Sequence, residues 1–520
     1  MWRRWLKPLR VGIALVFLFG LSAAFVDFRG LMPARLSHWL AAVQFTPALC
    51  ALGTSRKAWL ILAGIASLTL CFGRVYCSTV CPLGLLQDVI ARLALALRPR
   101  RRLLPYAKAS RWLRYGVLAA TVATIAGGAG AIAYAHADPY SNFGRIMSGL
   151  GRPLLVTLNN ALVTPAAALG WESFYRVVPS WPNLAGLWPA LLVLLLLVFL
   201  AAWRERIYCN TLCPVGTVLG LLARRGLFRL SLAGSACTKC AECLRHCKAQ
   251  CIDLRAGTID AARCVGCFNC VAACPEHGVG YRLAWSRPVQ APVASDPRRR
   301  AFLARTGVAL FAAVGGQRLV AAVSAGPAEA TKTAGAICPP GASDDWRFLG
   351  RCTACQLCVS ACPTQVLQPA LLEHGFGIAG LMKPRLDYTV AYCNFDCRRC
   401  AEVCPTGALA LLPLADKQVT RIGLARLDIE KCIVKTKGTD CAACSEHCPT
   451  KAVDTVPYGA NLRLPEVNQV LCIGCGACEF ACPAQPQKAI VVTGQHRHDR
   501  AERKVEGKAK DPRQQADFPF

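Results

Sequence analysis

Six groups of four cysteines stand in this chain at spacings that suit iron–sulfur chemistry. Four read C-x2-C-x2-C-x3-C: Cys237/Cys240/Cys243/Cys247, Cys264/Cys267/Cys270/Cys274, Cys352/Cys355/Cys358/Cys362 and Cys472/Cys475/Cys478/Cys482. Two alter the first interval: Cys393/Cys397/Cys400/Cys404 and Cys432/Cys441/Cys444/Cys448. In such a run three thiolates from one tight loop hold three irons of a [4Fe–4S] cubane, and the fourth cysteine reaches an iron of a neighbouring cluster. Structural zinc sites instead use separated C-x2-C pairs, and disulfide scaffolds are short secreted chains. The spacing therefore predicts six [4Fe–4S] clusters held by 24 of the 32 cysteines. Such clusters carry single electrons and make no bonds, so the expected chemistry is electron transfer.

The elements that position these groups must fit into 520 residues, enough for three or four domains. Apolar residues make up 54% and concentrate in the first 203 positions. The formal charge of +30 would suit a nucleic-acid partner. Twenty-four thiolates and six oxidised cubane cores lower it to about +18. No basic–aromatic recognition motif accompanies the charge, so a nucleic-acid partner is excluded.

Four segments are apolar enough to cross a lipid bilayer: 11–28, 58–76, 115–135 and 184–203. A fifth stretch, 38–53, is short and carries His38, Gln44 and Pro47, and reads as re-entrant or interfacial. Basic residues crowd 1–10, 92–114 and 204–229, and the positive-inside rule places those segments in the cytoplasm.

An internal repeat marks the cytoplasmic ends of the second and fourth spans. GRVYCSTVCPLGLL (73–86) matches ERIYCNTLCPVGTVLG (205–220). Cysteines at i and i+4 share one helical face, and the proline that follows bends or ends the helix. Two such ends related by pseudo-symmetry would gather Cys77, Cys81, Cys209 and Cys213 into an additional metal or cluster centre, or into thiols that cycle with disulfides.

An electron source in the lipid is the natural donor to clusters beside a bilayer, and quinol is the obvious one. No C-x2-C-H motif is present, which excludes covalent c-type haem, and the spans lack the paired histidines of a haem b. His38, Gln44, Asp138 and Arg145 fall at the predicted outer face and are the candidates for a quinol site that releases protons there.

Residues 10–285, with four spans, paired C-x3-C-P motifs and a two-cluster ferredoxin, resemble the NapH family of membrane quinol dehydrogenase subunits. The C-terminal part of NosR and the protein MauN are similar. One departure is Lys248, which stands where proline usually follows the fourth cysteine; nearby Cys251 could substitute for Cys247. Residues 336–492 resemble the four-cluster NapG and MauM ferredoxins through Pro339-Pro340-Gly341, the four cysteine groups and the Ala-x-x-Cys-Pro-Thr-Gly-Ala run at 401–408. Nested pairing is the expectation there, first group with fourth and second with third. Between the two parts, Arg299-Arg300-Ala301-Phe302-Leu303 and the apolar run after it read as an internal twin-arginine signal, with Ala328-Glu329-Ala330 as a cleavage site.

The expected fold is an α-helical four-span membrane core plus α+β polyferredoxin domains, one two-cluster and one four-cluster. Its divisions are a core at 1–230, a cytoplasmic two-cluster ferredoxin at 231–290, a linker at 291–335, a periplasmic four-cluster ferredoxin at 336–492 and a disordered tail at 493–520. The resemblance implies a multi-pass protein of a bacterial inner membrane. It would draw on the quinone pool and pass electrons to a periplasmic reductase or cytochrome-type acceptor, of a nitrate-reductase or methylamine-type system. Two other readings stand beside it: a maturation factor that reduces metal centres or thiols of a client enzyme, and a cytoplasmic donor to low-potential enzymes.

Overall fold

A computed structural model describes residues 3–97, 106–107, 110–126, 136–170, 174–178, 183–233, 237–283, 336–371, 373–374, 380–459 and 462–503. The twin-arginine sequence and its linker fall within 284–335, outside the described residues.

The N-terminal part is helical. Helix α1 (Arg3–Val26) is followed by α2 (Ala34–Ala42) and α3 (Phe45–Cys50), then α4 (Arg56–Phe72), α5 (Tyr76–Thr79) and α6 (Pro82–Ala96). A second set follows: α7 (Arg111–Thr124), α8 (Pro139–Ile146), α9 (Arg152–Ala168), α10 (Leu184–Arg204), α11 (Ile207–Thr211) and α12 (Pro214–Ala223). Trp5–Val26 and Gly186–Arg204 are long and apolar enough to cross a bilayer. The other two expected spans differ: α4 has 17 residues and stops at Gly73, whose φ is 77°, and 127–135 lies outside the described residues. The 38–53 stretch forms α2, α3 and a 3-10 turn, as short elements should.

Local chemistry sets these boundaries. After α1 the Asp27 carboxylate accepts from the backbone N–H groups of Leu31 (3.1 Å) and Met32 (2.7 Å), which turns the chain. Asp138 caps α8 by accepting from Tyr140 and Ser141 N–H, and Asn183 caps α10 through Gly186 N–H. Phe25 packs against Tyr140 and Phe143 at ring separations of 5.8 and 6.1 Å, all three fully buried. Burial of each such ring contributes about 1.5–3 kcal/mol.

Two α+β units flank this core. The first pairs β1 (Phe228–Leu232) with β4 (Val279–Leu283), and β2 (Ile252–Asp253) with β3 (Thr258–Ile259), all antiparallel. The second pairs β5 (Leu367–Pro369) with β6 (Pro384–Leu386), β7 (Thr420–Leu427) with β10 (Ile490–Arg500), and β8 (Val453–Tyr458) with β9 (Leu462–Val467). The tail expectation is corrected here. Residues 493–500 are strand, continuing past an irregularity between Gly494 and Asp499 to pair Asp499 with Arg421. The polar sequence misleads because this strand lies at the edge of its sheet, where one face is solvated.

The two units sit at opposite ends of α1. Leu6 packs into the core of the first, while Phe25 packs beside Gly144, which lies against the second at Cys355. At about 1.5 Å per residue, 24 helical residues separate those ends by about 36 Å.

Candidate electron-transfer site

The cysteine loops share one backbone design. In each C-x2-C-x2-C run the residues two and four places after the first cysteine are left-handed: Lys239 and Ala241, Gly266 and Phe268, Ala354 and Gln356, Gly474 and Gly476. Alternation of this kind turns successive N–H groups into an anion-binding concavity. Backbone N–H groups duly reach the thiols two residues back: Gly266 to Cys264, Asn269 to Cys267, Ala354 to Cys352, Leu357 to Cys355 and Ala477 to Cys475.

Each trio is completed by a cysteine from a neighbouring run. Cys237, Cys240, Cys243 and Cys274 line one cavity, walled by Leu232, Leu254 and Val279. Cys264, Cys267 and Cys270 gather with Cys247. In the second unit Cys352, Cys355 and Cys358 meet Cys404, and Cys393, Cys397 and Cys400 meet Cys362. Cys432, Cys441 and Cys444 line a cavity with Cys482, and Cys472, Cys475 and Cys478 lie beside Cys448. Nested pairing is thereby corrected: first pairs with second and third with fourth. The helices Leu357–Ala361 and Arg399–Val403 pack together, as do Ala443–Glu446 and Ala477–Ala481, and these contacts decide the partners.

These cages fit iron–sulfur cubanes in two respects. Inward N–H groups suit thiolates and sulfides, and burial pushes the Cys352 thiol up to about 11 and those of Cys355 and Cys475 up to about 12. A cationic iron core would hold such crowded sulfurs as thiolates. Cys251 sits 3.7 Å from the Cys247 sulfur and also beside Cys264; chiefly through the Cys251 contact, the Cys247 thiol falls to about 7.

The repeat cysteines do converge. Cys77, Cys81, Cys209 and Cys213 are all buried in one core with Tyr76 and Tyr208. The expected shared helical face is corrected, because α5 ends at Thr79 and Cys81 caps α6 in extended conformation, with φ −69° and ψ 112°. Pro82 forces this by excluding the helical conformation from the residue before it, and Pro214 does the same to Cys213.

Sequence reasoning missed the groups around them. Arg74 Nη2 donates to the Cys209 carbonyl (3.1 Å) and lies 3.8 Å from the Cys77 sulfur. Arg206 Nη1 donates to the Cys77 carbonyl (2.8 Å) and lies 4.0 Å from the Cys209 sulfur. Gln87 Nε2 approaches that same sulfur at 3.2 Å. The available signal was R-x-Y-C, present in both repeats as Arg74-Val75-Tyr76-Cys77 and Arg206-Ile207-Tyr208-Cys209. Asp88 was missed as well. Its carboxylate binds Arg10 (2.9 Å), Arg206 (2.7 Å) and Lys248 (2.8 Å), and despite burial these cations hold its pKa well below the usual carboxylate range.

Gln44, Asp138 and Arg145 lie in one buried layer beneath the second unit. Gln44 accepts from the Tyr76 hydroxyl (3.1 Å), Asp138 caps α8, and Arg145 donates to Asn142 (2.5 Å), which donates to Tyr208 (3.3 Å). Arg145 also reaches Met382 of the second unit (3.0 Å). Most of their polar groups have protein partners, although Arg145 Nε is buried without one. His38, on α2, faces Cys404.

Both units dock on the core largely through backbone carbonyls. Ala262 O accepts from Arg74 (3.0 Å) and Arg114 (3.1 Å), and Phe72 O accepts from Tyr281 (3.0 Å). On the other side Ser148 donates to Gln356 (2.8 Å), Asn183 to Pro369 O (2.7 Å) and Arg399 to Met32 O (2.7 Å). One continuous core contains Val265 and Cys267 of the first unit, the four repeat cysteines, and Cys355 and Leu357 of the second.

Fold and cysteine cages define an iron–sulfur electron-transfer protein of the ferredoxin type. Residues 58–105 and 184–232 each match a 4Fe-4S binding domain (Fer4_5), 351–408 a 4Fe-4S dicluster domain (Fer4_7) and 464–489 a further 4Fe-4S binding domain (Fer4_6). The ferredoxin-type protein NapG of Escherichia coli K12 is 34% identical over 167 residues, 30% of this chain and 68% of that protein. By this likeness the chain belongs to the Nap/Mau-type ferredoxins. The ferredoxin-type protein NapF of the same organism is 29% identical over 167 residues, 32% of this chain and 90% of NapF. The methylamine utilization ferredoxin-type protein MauN of Methylobacillus flagellatus is 27% identical over 285 residues, 49% of this chain and 82% of MauN. No solved structure matches.

Proposed function

We propose that this chain is a membrane quinol dehydrogenase that relays electrons to a periplasmic reductase or other redox enzyme. In this reading it joins a NapH/MauN-type membrane ferredoxin to a NapG/MauM-type four-cluster ferredoxin. Four spans form the membrane core, the first ferredoxin unit lies in the cytoplasm and the second in the periplasm. Six [4Fe–4S] clusters would be held by the six cysteine sets described above, and when bound they supply one-electron storage and transfer. The chain's own residues hold the thiolates, aim N–H groups at them and exclude water.

The observation that carries the reading is the continuous buried core from Cys267 through Cys77, Cys81, Cys209 and Cys213 to Cys355. It gives the two ferredoxin units, at opposite ends of a membrane-length helix, a protein-filled connection. The test is anaerobic: menaquinol is added to the detergent-purified protein and cluster reduction is followed by EPR. Reduced-cluster signals that a quinol-site inhibitor blocks are expected. Signals with dithionite but none with menaquinol would sink the quinol reading.

The burial of four free cysteines in one core keeps a second reading, a maturation factor whose repeat thiols reduce a client's metal centres or thiols. The double substitution Cys77→Ser and Cys209→Ser separates the two. Under the relay reading, quinol-driven reduction of the second unit stops; under the maturation reading it survives and client activation stops.

A further inference from the structure

A cavity of about 370 Å³ opens at the N-terminal end of α1, between α6, the end of α10 and the first ferredoxin unit. We propose that it binds the head group of a quinone. This rests on the quinol reading above, and it places the site at the opposite end of the core from Gln44, Asp138 and Arg145.

Size is the first argument, since pockets for small organic ligands run from about 300 to 1,000 Å³. Chemistry is the second. The lining is mixed, with apolar Ala94, Ala202 and Trp203 beside polar Glu205, His246 and Cys247. A flat ring with two oxygens needs both kinds of surface: apolar contacts for its faces and polar groups for its oxygens. Position is the third. The cavity lies where two membrane-length helices end, and Leu93 on α6, Leu97 just after it and Phe199 on α10 are 62%, 86% and 65% exposed nearby, an apolar path for an isoprenoid tail. Cys247, which belongs with the Cys264/Cys267/Cys270 cage, forms part of the wall itself.

Basic side chains such as Arg92 and Arg204 also line the cavity and would attract an anionic lipid head group. A lipid gives no reason for a cage cysteine in the wall, and a redox ligand does. Glu205 supports the same choice, because it reaches the cavity from a backbone at φ 34°, a conformation that L-residues adopt at a cost and that clusters at functional sites. Oxidation of one hydroquinone releases two electrons and two protons. Two oxidised clusters, of the kind that the cages of the first unit would hold, would each take one electron; Glu205 in the lining would accept one proton and water at the cavity mouth the other.

The experiment uses the full-length, cluster-loaded protein in detergent and a photoreactive azido-naphthoquinone. Label is expected on peptides covering 88–95 and 201–205. Ala94→Trp and Ala202→Trp, which add bulk to the cavity lining, should cut labelling and raise the KM for menaquinol at least tenfold, with the dithionite-reduced EPR spectrum unchanged. Should either Trp variant lose its clusters, Ala94→Leu supplies the milder filling, with about a threefold rise in KM. Label on 38–46 or 136–148, with KM unmoved in the variants, would overturn this site and leave quinol oxidation standing. Displacement of the label by phosphatidylglycerol, with KM unmoved, would assign the cavity to lipid and overturn the site too. Absence of both label and quinol-driven reduction in the unaltered protein would overturn both readings.

Discussion

Arg74 and Arg206 cross-brace the two repeats: each guanidinium donates to the carbonyl of the other repeat's first cysteine, at 3.1 and 2.8 Å, while lying within 4.0 Å of its own repeat's cysteine sulfur. Both are fully buried. The brace fixes two C-x3-C-P turns face to face and sets two positive charges among four sulfurs. Such an arrangement favours a site that carries negative charge, as a thiolate-ligated centre does.

The brace leaves no room for a side chain at the glycine after each proline-leucine or proline-valine pair. A Cβ on Gly84 would lie 2.6 Å from both Arg206 Nη1 and the Cys77 carbonyl, and one on Gly216 would lie 2.4 Å from the Cys209 carbonyl and 2.7 Å from Arg74 Nη2. Gly84→Ala and Gly216→Ala should therefore each cost about 1–3 kcal/mol. Gly12→Ala and Gly116→Ala, which meet open space, should be neutral or slightly stabilising. Thermal unfolding of the four variants in one detergent checks this, and equal melting temperatures would refute the brace.

Docking of the second unit depends on Gly144. A Cβ there would stand 2.3 Å from the Cys355 carbonyl and 2.7 Å from the Phe25 ring, and neither neighbour can withdraw without moving its element. Gly144→Ala should slow menaquinol-driven reduction of the second unit at least tenfold and leave the first unit unaffected. Freeze-quench EPR, which separates early from late cluster signals, is the measurement. Unaltered kinetics would mean that electrons do not pass through this contact.

What was legible in the sequence follows from the range of the interactions involved. A cubane loop is local, so the spacing of Cys264, Cys267 and Cys270 carries its own meaning. The repeat was also legible, because Tyr-Cys-x3-Cys-Pro recurs intact. Pairing among the four C-terminal groups was not, since it depends on which short helices pack together, as Leu357–Ala361 does with Arg399–Val403. Asp88 gave no local sign either: its partners Arg10, Arg206 and Lys248 come from three distant parts of the chain. The strand at 493–500 was hidden for a related reason, because it is polar, with His496, Arg497, Asp499 and Arg500 exposed, while its backbone pairs with β7.

Asp88 supplies a further prediction. Asp88→Asn would leave three buried or nearly buried cations with no counter-charge, a change that costs about 3–5 kcal/mol. Because Lys248 directly follows Cys247, the first unit should lose iron as the contact loosens. Adding Lys248→Met to Asp88→Asn should recover part of the loss. Melting temperature and iron content per chain are the readouts, and an iron-replete Asp88→Asn protein with unchanged melting would contradict the assignment.

His374 makes stability depend on pH. It is 4% exposed, and burial, aided by the nearby Lys383, lowers its pKa from 6.5 to about 4. The unfolded chain then binds a proton that the folded chain refuses, so stability is full above pH 6.5 and falls as pH drops toward 4. The loss from this group alone should be on the order of 1 kcal/mol at pH 5.5 and about 3 kcal/mol at its limit. His374→Phe keeps a ring of similar size and removes the titration. Anaerobic melting of both proteins at pH 7.5 and 5.5 should show a smaller drop for the variant. An equal drop in the two would show that another group governs the acid sensitivity.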